Sequence, residues 1–178
     1  MGGSEMEIGV LFADVRGFTS LAETIGPTEV AALLNRFYAS ATRVLSRSAI
    51  IDKLVGDEVM ALYLPPWLGD GWEDQMLRDA TELLTAVGFG DEPWLPLGVG
   101  LDVGRAFVGN VGDGEVKDFT ALGDVVNTAA RLQSAAQSGQ IVMSERLCAR
   151  LTDGLGSAKA TTLTLKGKAE AEPVRVIG

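Results

Sequence analysis

Residues 49–64 read AIIDKLVGDEVMALYL, two apolar runs (49–55 and 58–64) broken by Gly56-Asp57. Each run has the length and composition of a strand, and Gly-Asp between them is a turn dipeptide in reversed order, so the stretch predicts a β-hairpin. Upstream, from Pro27, the residues Val30, Leu33, Leu34, Phe37, Tyr38, Ala41, Val44 and Leu45 recur at steps of three and four. That spacing is the apolar stripe of an amphipathic helix. Before it, EIGVLFAD (7–14) reads as a buried strand ending in an acid. Downstream, past the loop PPWLGDG, a second helix is expected over 73–87. Residues 95–103 and 105–111 then read as the Val-rich arms of another hairpin, turning near Gly104. A helix starting near 124 carries Val125, Val126, Ala129, Ala130 and Leu132. Shorter pieces follow: IVMS (141–144), SERLCARL (144–151), TLTLK (162–166) and PVRVI (173–177). The order strand, helix, two strands, helix, two strands, then smaller α and β pieces predicts an α+β fold, a ferredoxin-like βαββαβ sandwich with additional C-terminal α/β elements.

Composition narrows the chemistry. A chain of 178 residues, 47% hydrophobic, fits one domain with a substantial core, and one domain over 1–178 is expected. No apolar run approaches the roughly 20 residues of a membrane-spanning helix, and MGGSEMEIGV lacks a secretory start. Direct membrane insertion is therefore not expected. The sequence has no histidine, and Cys148 is its one cysteine. Internal disulfides, His-ligated metals and imidazole catalysis are excluded, and a reducing, cytoplasmic setting fits best. A net charge of −9 argues against nucleic acid as a partner. It leaves open a small anionic ligand gripped by local lysine, arginine or metal. No repeat or low-complexity segment interrupts the chain, which leaves room for an upstream regulatory domain in a longer natural protein.

Two acids stand out by position. Asp14 ends the first strand, and Asp57 sits in the tight turn of the central hairpin. In VRGFT (15–19), Gly17 lets backbone come close to phosphate oxygens. A carboxylate pair of this kind suits Mg²⁺ held against a triphosphate, although either aspartate taken alone is more often a turn cap. Asn127 and Arg131 lie at i and i+4 on one helix face, fit for a ribose and a phosphate oxygen, or simply a solvated polar stripe. Lys53 lies within an apolar strand, a place that calls for a sheet edge or a polar partner. Lys166, in LKGK, reads from composition as a surface charge.

The segments VLFADVRGFTSLAE (10–23), DKLVGDEVMALY (52–63), GVGLDVGRAFVGNVG (98–112), DFTALGDVVNTAARL (118–132) and LKGKAEAEPVRV (165–176) resemble the successive blocks of class III adenylate/guanylate cyclase catalytic domains. They occur in family order over nearly the whole chain. The resemblance implies that Asp14 and Asp57, with the Val15 backbone, bind two divalent metal ions: Mg²⁺ or Mn²⁺, with Ca²⁺ an alternative at one site. It implies that the backbone of Gly17, Phe18 and Thr19 cradles the triphosphate and that Lys166 reaches the terminal phosphates. Asn127 matches the residue that orients the ribose, and Arg131 the one that stabilises charge at the α-phosphate. Lys53 and Thr120 match the base-selecting pair. Lysine there is the adenylate cyclase choice, where guanylate cyclases typically carry glutamate, and Thr120 in place of aspartate resembles class IIIb. ATP is the implied substrate. The implied assembly is a homodimer with two shared active sites, each drawing the aspartates from one subunit and the base, ribose and arginine residues from the other. Guanylate cyclase and a catalytically inactive cyclase-like dimerisation module are the alternatives. One departure is Gly98, where many relatives place a phosphate-facing arginine; Arg105 lies further along the same segment.

Overall fold

The computed structural model describes residues 2–112, 118–152, 156, 158–164 and 171–178. Six elements build the expected βαββαβ core: β1 (Gly3–Val15), α2 (Pro27–Leu45), β2 (Ile50–Val55), β3 (Glu58–Tyr63), α4 (Trp72–Ala86) and β4 (Leu97–Val111). Their strands lie in the order β2-β3-β1-β4, the ferredoxin-like arrangement, all antiparallel. Short helices α1 (Phe18–Thr24) and α3 (Pro65–Leu68) lie in the connections. Beyond the core come β5 (Asp118–Leu122), α5 (Asp124–Ala135), β6 (Ile141–Ser144), α6 (Glu145–Cys148), β7 (Lys159–Thr164) and β8 (Ala171–Ile177). Strand β6 runs parallel to β4 and extends the sheet through β8 to β7, while β5 pairs with the far end of β4.

Strand alternation assigns the two faces. Odd-numbered residues Leu11, Ala13, Val59, Ala61, Tyr63, Val99 and Leu101 pack with Phe37, Ala41 and Val44 of α2 and Met76 and Leu83 of α4. Even-numbered residues Ile8, Val10, Phe12, Met60, Leu62, Ala106 and Val108 pack with Val125 and Ala129 of α5. Both faces of β1 and β3 are covered, which is why those strands read as continuous apolar runs instead of alternating ones. Helix α5 lies directly on Gly100: a Cβ there would fall 2.2 Å from the Gln133 backbone nitrogen. Glycine is required at that crossing, and it fixes the height of α5 above the sheet.

The turn expected near Gly104 does not form. Strand β4 is a single 15-residue strand, paired with β1 from Gly3↔Gly109 to Val15↔Leu97, with Gly104 opposite Ile8. The in–out phase runs unbroken through this glycine, which has no positive φ. The hairpin partner of this strand is β5, joined by the pairs Phe107↔Leu122 to Val111↔Asp118. Among the described residues, no helix is long and apolar enough to cross a membrane.

Candidate active site

The fold brings Asp14 and Asp57 together. Asp14 lies near the end of β1, flanked in register by Glu58 on β3 and Gly98 on β4. Asp57 follows Gly56, whose φ of 59° makes the β2–β3 turn. Two bonds hold that turn against its neighbours: the Val15 N–H donates to the Asp57 carbonyl at 3.2 Å, and the Tyr38 hydroxyl of α2 donates to the Gly56 carbonyl. The Asp14 carboxyl is pushed up to about 6, first by burial and then by its hydrogen bond to Asp57 and repulsion from that acid. Arg16, which donates to Asp14 Oδ2, opposes the shift. Gln133 of α5 opposes it more weakly, and its Nε2 is buried with no hydrogen bond completed among the described residues. Glu58 is also raised, by burial and by the charge of Asp57.

This arrangement fits a hard divalent cation. Two carboxylates are held at adjacent strand ends at the cost of mutual repulsion, which one guanidinium relieves in part. Among the described residues no group of three or more histidine, cysteine or acidic side chains could hold a metal. A cation bound here would therefore take two carboxylates and complete its shell from backbone carbonyl, water and a ligand's own oxygens, the partly hydrated coordination that Mg²⁺ prefers.

A second cluster forms around Lys53 and Thr120. Between Ile51 and Lys53 the β2–β3 register slips, a bulge that leaves Asp52 outside the ladder. The Thr120 hydroxyl donates to Asp52 Oδ2 at 3.0 Å, while Asp52 Oδ1 is buried without a partner among the described residues. Burial raises the Asp52 pKa, against the lowering influence of Thr120 and then Lys53. Lys53 Nζ lies 3.6 Å from Asp118 Oδ2. The lysine thus has both features its strand position called for: β2 is the edge of the sheet, and an acid faces it. Exposed Leu54, Val55, Phe119 and Leu122 flank the cluster in sequence on β2 and β5.

Helix α5 buries Val125, Thr128, Ala129, Leu132 and Gln133. Asn127 is therefore left exposed and Arg131 half-buried, and among the described residues Arg131 makes no ion pair. No hydrogen bond or ion pair among the described residues joins this pair to the aspartates or to Lys53. Gly17 is exposed with a φ of 70° and precedes α1. Thr19 is exposed, whereas the Phe18 side chain packs on the core and leaves its backbone for any ligand. Lys166 lies outside the described residues. Arg105 faces Glu5 at 3.6 Å, seven residues along β4 from Gly98, or roughly 23 Å at strand rise. Arg16, Asp52, Gln133 and Asp118 were not singled out from sequence. Arg16 carried a signal, since two residues beyond Asp14 on a strand is the same face; the other three meet the site only through tertiary contacts.

Comparison with known proteins fits this geometry. The family described as the adenylate and guanylate cyclase catalytic domain matches residues 3–177. An adenylate cyclase of Anabaena cylindrica is 33% identical over 136 residues, which are 70% of this chain and 26% of that protein. An uncharacterized protein of Mycobacterium tuberculosis is 30% identical over 181 residues, covering 99% of this chain and 33% of its own length. The chain thus spans about a quarter to a third of the length of these curated relatives. Among solved structures, the guanylyl cyclase Cya2 superposes with a TM-score of 0.89 at 27% identity, covering 99% of this chain and 93% of that one. The adenylyl cyclase CyaB from P. aeruginosa shares the fold, with a TM-score of 0.81 at 24% identity over 100% of this chain and 97% of its own. Strand order, the paired aspartates and a match over nearly every residue lead to one conclusion: the chain belongs to the adenylate and guanylate cyclase catalytic domain family.

Proposed function

We propose that this chain is one catalytic domain of an adenylate cyclase, converting ATP to 3′,5′-cyclic AMP and pyrophosphate as a homodimer with two shared sites. The observation that carries the base preference is the Lys53–Asp52–Thr120 cluster. Thr120 commits its proton to Asp52 at 3.0 Å, so its oxygen is left to accept from the N6 amine of adenine. The Lys53 ammonium has only donors and suits the N1 acceptor of adenine. Guanine presents a donor at N1 and an acceptor at O6, the reverse pattern. Both adenylyl and guanylyl cyclases occur among the structural neighbours, so likeness supports the reaction type and these side chains support the base.

Asp14 and Asp57 would hold two divalent cations, which supply charge neutralisation at the triphosphate and acidify the ribose 3′-hydroxyl when bound. The 3′-oxygen forms its bond to the α-phosphorus as the bond to pyrophosphate breaks. Asn127 orients the ribose, and the Arg131 guanidinium stabilises charge gathering on the α-phosphate oxygens. The backbone at Gly17, Phe18 and Thr19 lines the phosphates, with Lys166 assigned to their terminal end. Two observations support sharing between subunits: among the described residues Asn127 and Arg131 make no bond to the aspartates of their own chain, and exposed apolar residues adjoin Lys53 and Thr120. A two-fold axis would make each site from both chains.

Purified protein given ATP or GTP with Mn²⁺ is expected to form cyclic AMP in preference to cyclic GMP, measured by chromatography. Lys53→Glu is expected to cut kcat/KM for ATP by about 100-fold or more, since a carboxylate there would face an adenine acceptor with no donor between them. Preference for GTP by the wild type, or unchanged ATP kinetics in the variant, would remove the adenylate assignment.

A further inference from the structure

Gly98 has no side chain beside Asp14 on the neighbouring strand, and the side chain lying over it is Arg16. We propose that Arg16 is a phosphate-binding residue of this chain, gripping the β- or γ-phosphate in place of the side chain that Gly98 lacks. The assignment rests on the nucleotide cyclase reading above.

Register brings the two positions together. Asp14 pairs with Gly98 across β1 and β4, and two residues on, the Arg16 N–H donates to the Pro96 carbonyl at 2.7 Å. A Cβ built at Gly98 would lie 3.3 Å from Arg16 Nε, with the Ala136 carbonyl at 3.1 Å and the Ala136 Cβ at 3.2 Å closing the other side. The arginine therefore occupies the space that a side chain at 98 would enter, and it does so in contact with Asp14.

The state of the guanidinium supports a ligand role. Its only ion pair among the described residues is with Asp14, the carboxylate a divalent cation would claim. Its Nε is buried with no hydrogen-bond partner among the described residues. A buried N–H donor without an acceptor is costly, and a planar guanidinium matches phosphate oxygens in pairs. Once a cation takes Asp14, the freed donors face the anion that the same cation attracts. Without ligand, the arginine acts as the counter-charge that lets two acids sit side by side.

Three binding measurements on the full chain separate this role from that of a simple counter-ion. They are Mn²⁺ alone, followed by electron paramagnetic resonance of the free ion, and pyrophosphate and AMP, each by calorimetry in saturating Mn²⁺. Arg16→Ala is expected to weaken pyrophosphate by about 10- to 100-fold, to leave AMP within about twofold, and to leave Mn²⁺ as tight as before or tighter. Arg16→Gln keeps the stem over Gly98 without the charge and gives the same answer should the alanine variant unfold. Adding Gly98→Arg to Arg16→Ala, where the vacated space admits it, is expected to restore pyrophosphate binding. Pyrophosphate affinity unchanged within about twofold in Arg16→Ala and Arg16→Gln, or lost only in step with Mn²⁺, overturns the assignment. Wild type that binds neither pyrophosphate nor AMP overturns instead the cyclase reading beneath it.

Discussion

Asp14 is held beside Asp57 at a cost to the fold. Its pKa rises from 3.8 to about 6 on folding, so between those values the folded chain binds a proton that the unfolded chain has released. The contribution of Asp14 to stability is therefore highest below about pH 4, falls as the pH climbs through about 6, and stays lower above it. With chelator present, Asp14→Asn is expected to stabilise the fold at pH 7.5 by on the order of 1 kcal/mol after allowance for screening, read as a higher melting temperature. The gain should nearly vanish at pH 4, while cyclase activity is lost at either pH. Melts by circular dichroism would sink this account if the variant were equally destabilised at both. The partnership at this residue was only half legible in the sequence. Strand-end position and a glycine-bearing turn marked the acids. Nothing local announced that Gln133, on a helix far along the chain, would come to lie beside them.

At the scale of elements, the decisive packing is α5 on the sheet. Gly100 lets the helix backbone touch β4, and the Asn127–Arg131 face inherits its height from that contact. Gly100→Ala would drive a methyl to 2.2 Å from the Gln133 nitrogen, so the helix must lift. The expected result is a loss of about 1–3 kcal/mol in denaturant unfolding and a large drop in activity, with the aspartate pair intact for Mn²⁺ binding. Wild-type activity and stability in Gly100→Ala would mean that the helix has room to spare. Helices α2 and α4 and strands β1 to β3 were legible because each carries its own periodicity over many residues. Strand β4 was misread because Gly104 looks like punctuation, yet the long pairing with β1 carries the strand through it. Strand β5 is five residues long and owes its existence to Phe107–Val111, so no window of sequence contained its signal.

For the whole molecule, a site divided between two copies makes a sharp demand. Asp57→Ala and Arg131→Ala are each expected to be inactive alone. Mixed in equal amounts with free subunit exchange, half the dimers are heterodimers in which both defects share one site and the other site is whole, so activity should return to about a quarter of wild type. That recovery should fade on dilution, as the dimer dissociates. A dead mixture in which native mass spectrometry finds heterodimers would place the complete site within one chain.

The bulge at Asp52 has a second consequence, for an assembly that on the proposed reading stops at two. Strand β2 ends the sheet and exposes Leu54 and Val55, an open ladder of the kind onto which further chains add in fibres. The slipped register between Ile51 and Lys53 breaks the even spacing such growth needs, and the lysine sets a charge on the rim. The same irregularity that frees Asp52 to meet Thr120 thus guards the open border of the sheet against runaway polymerisation.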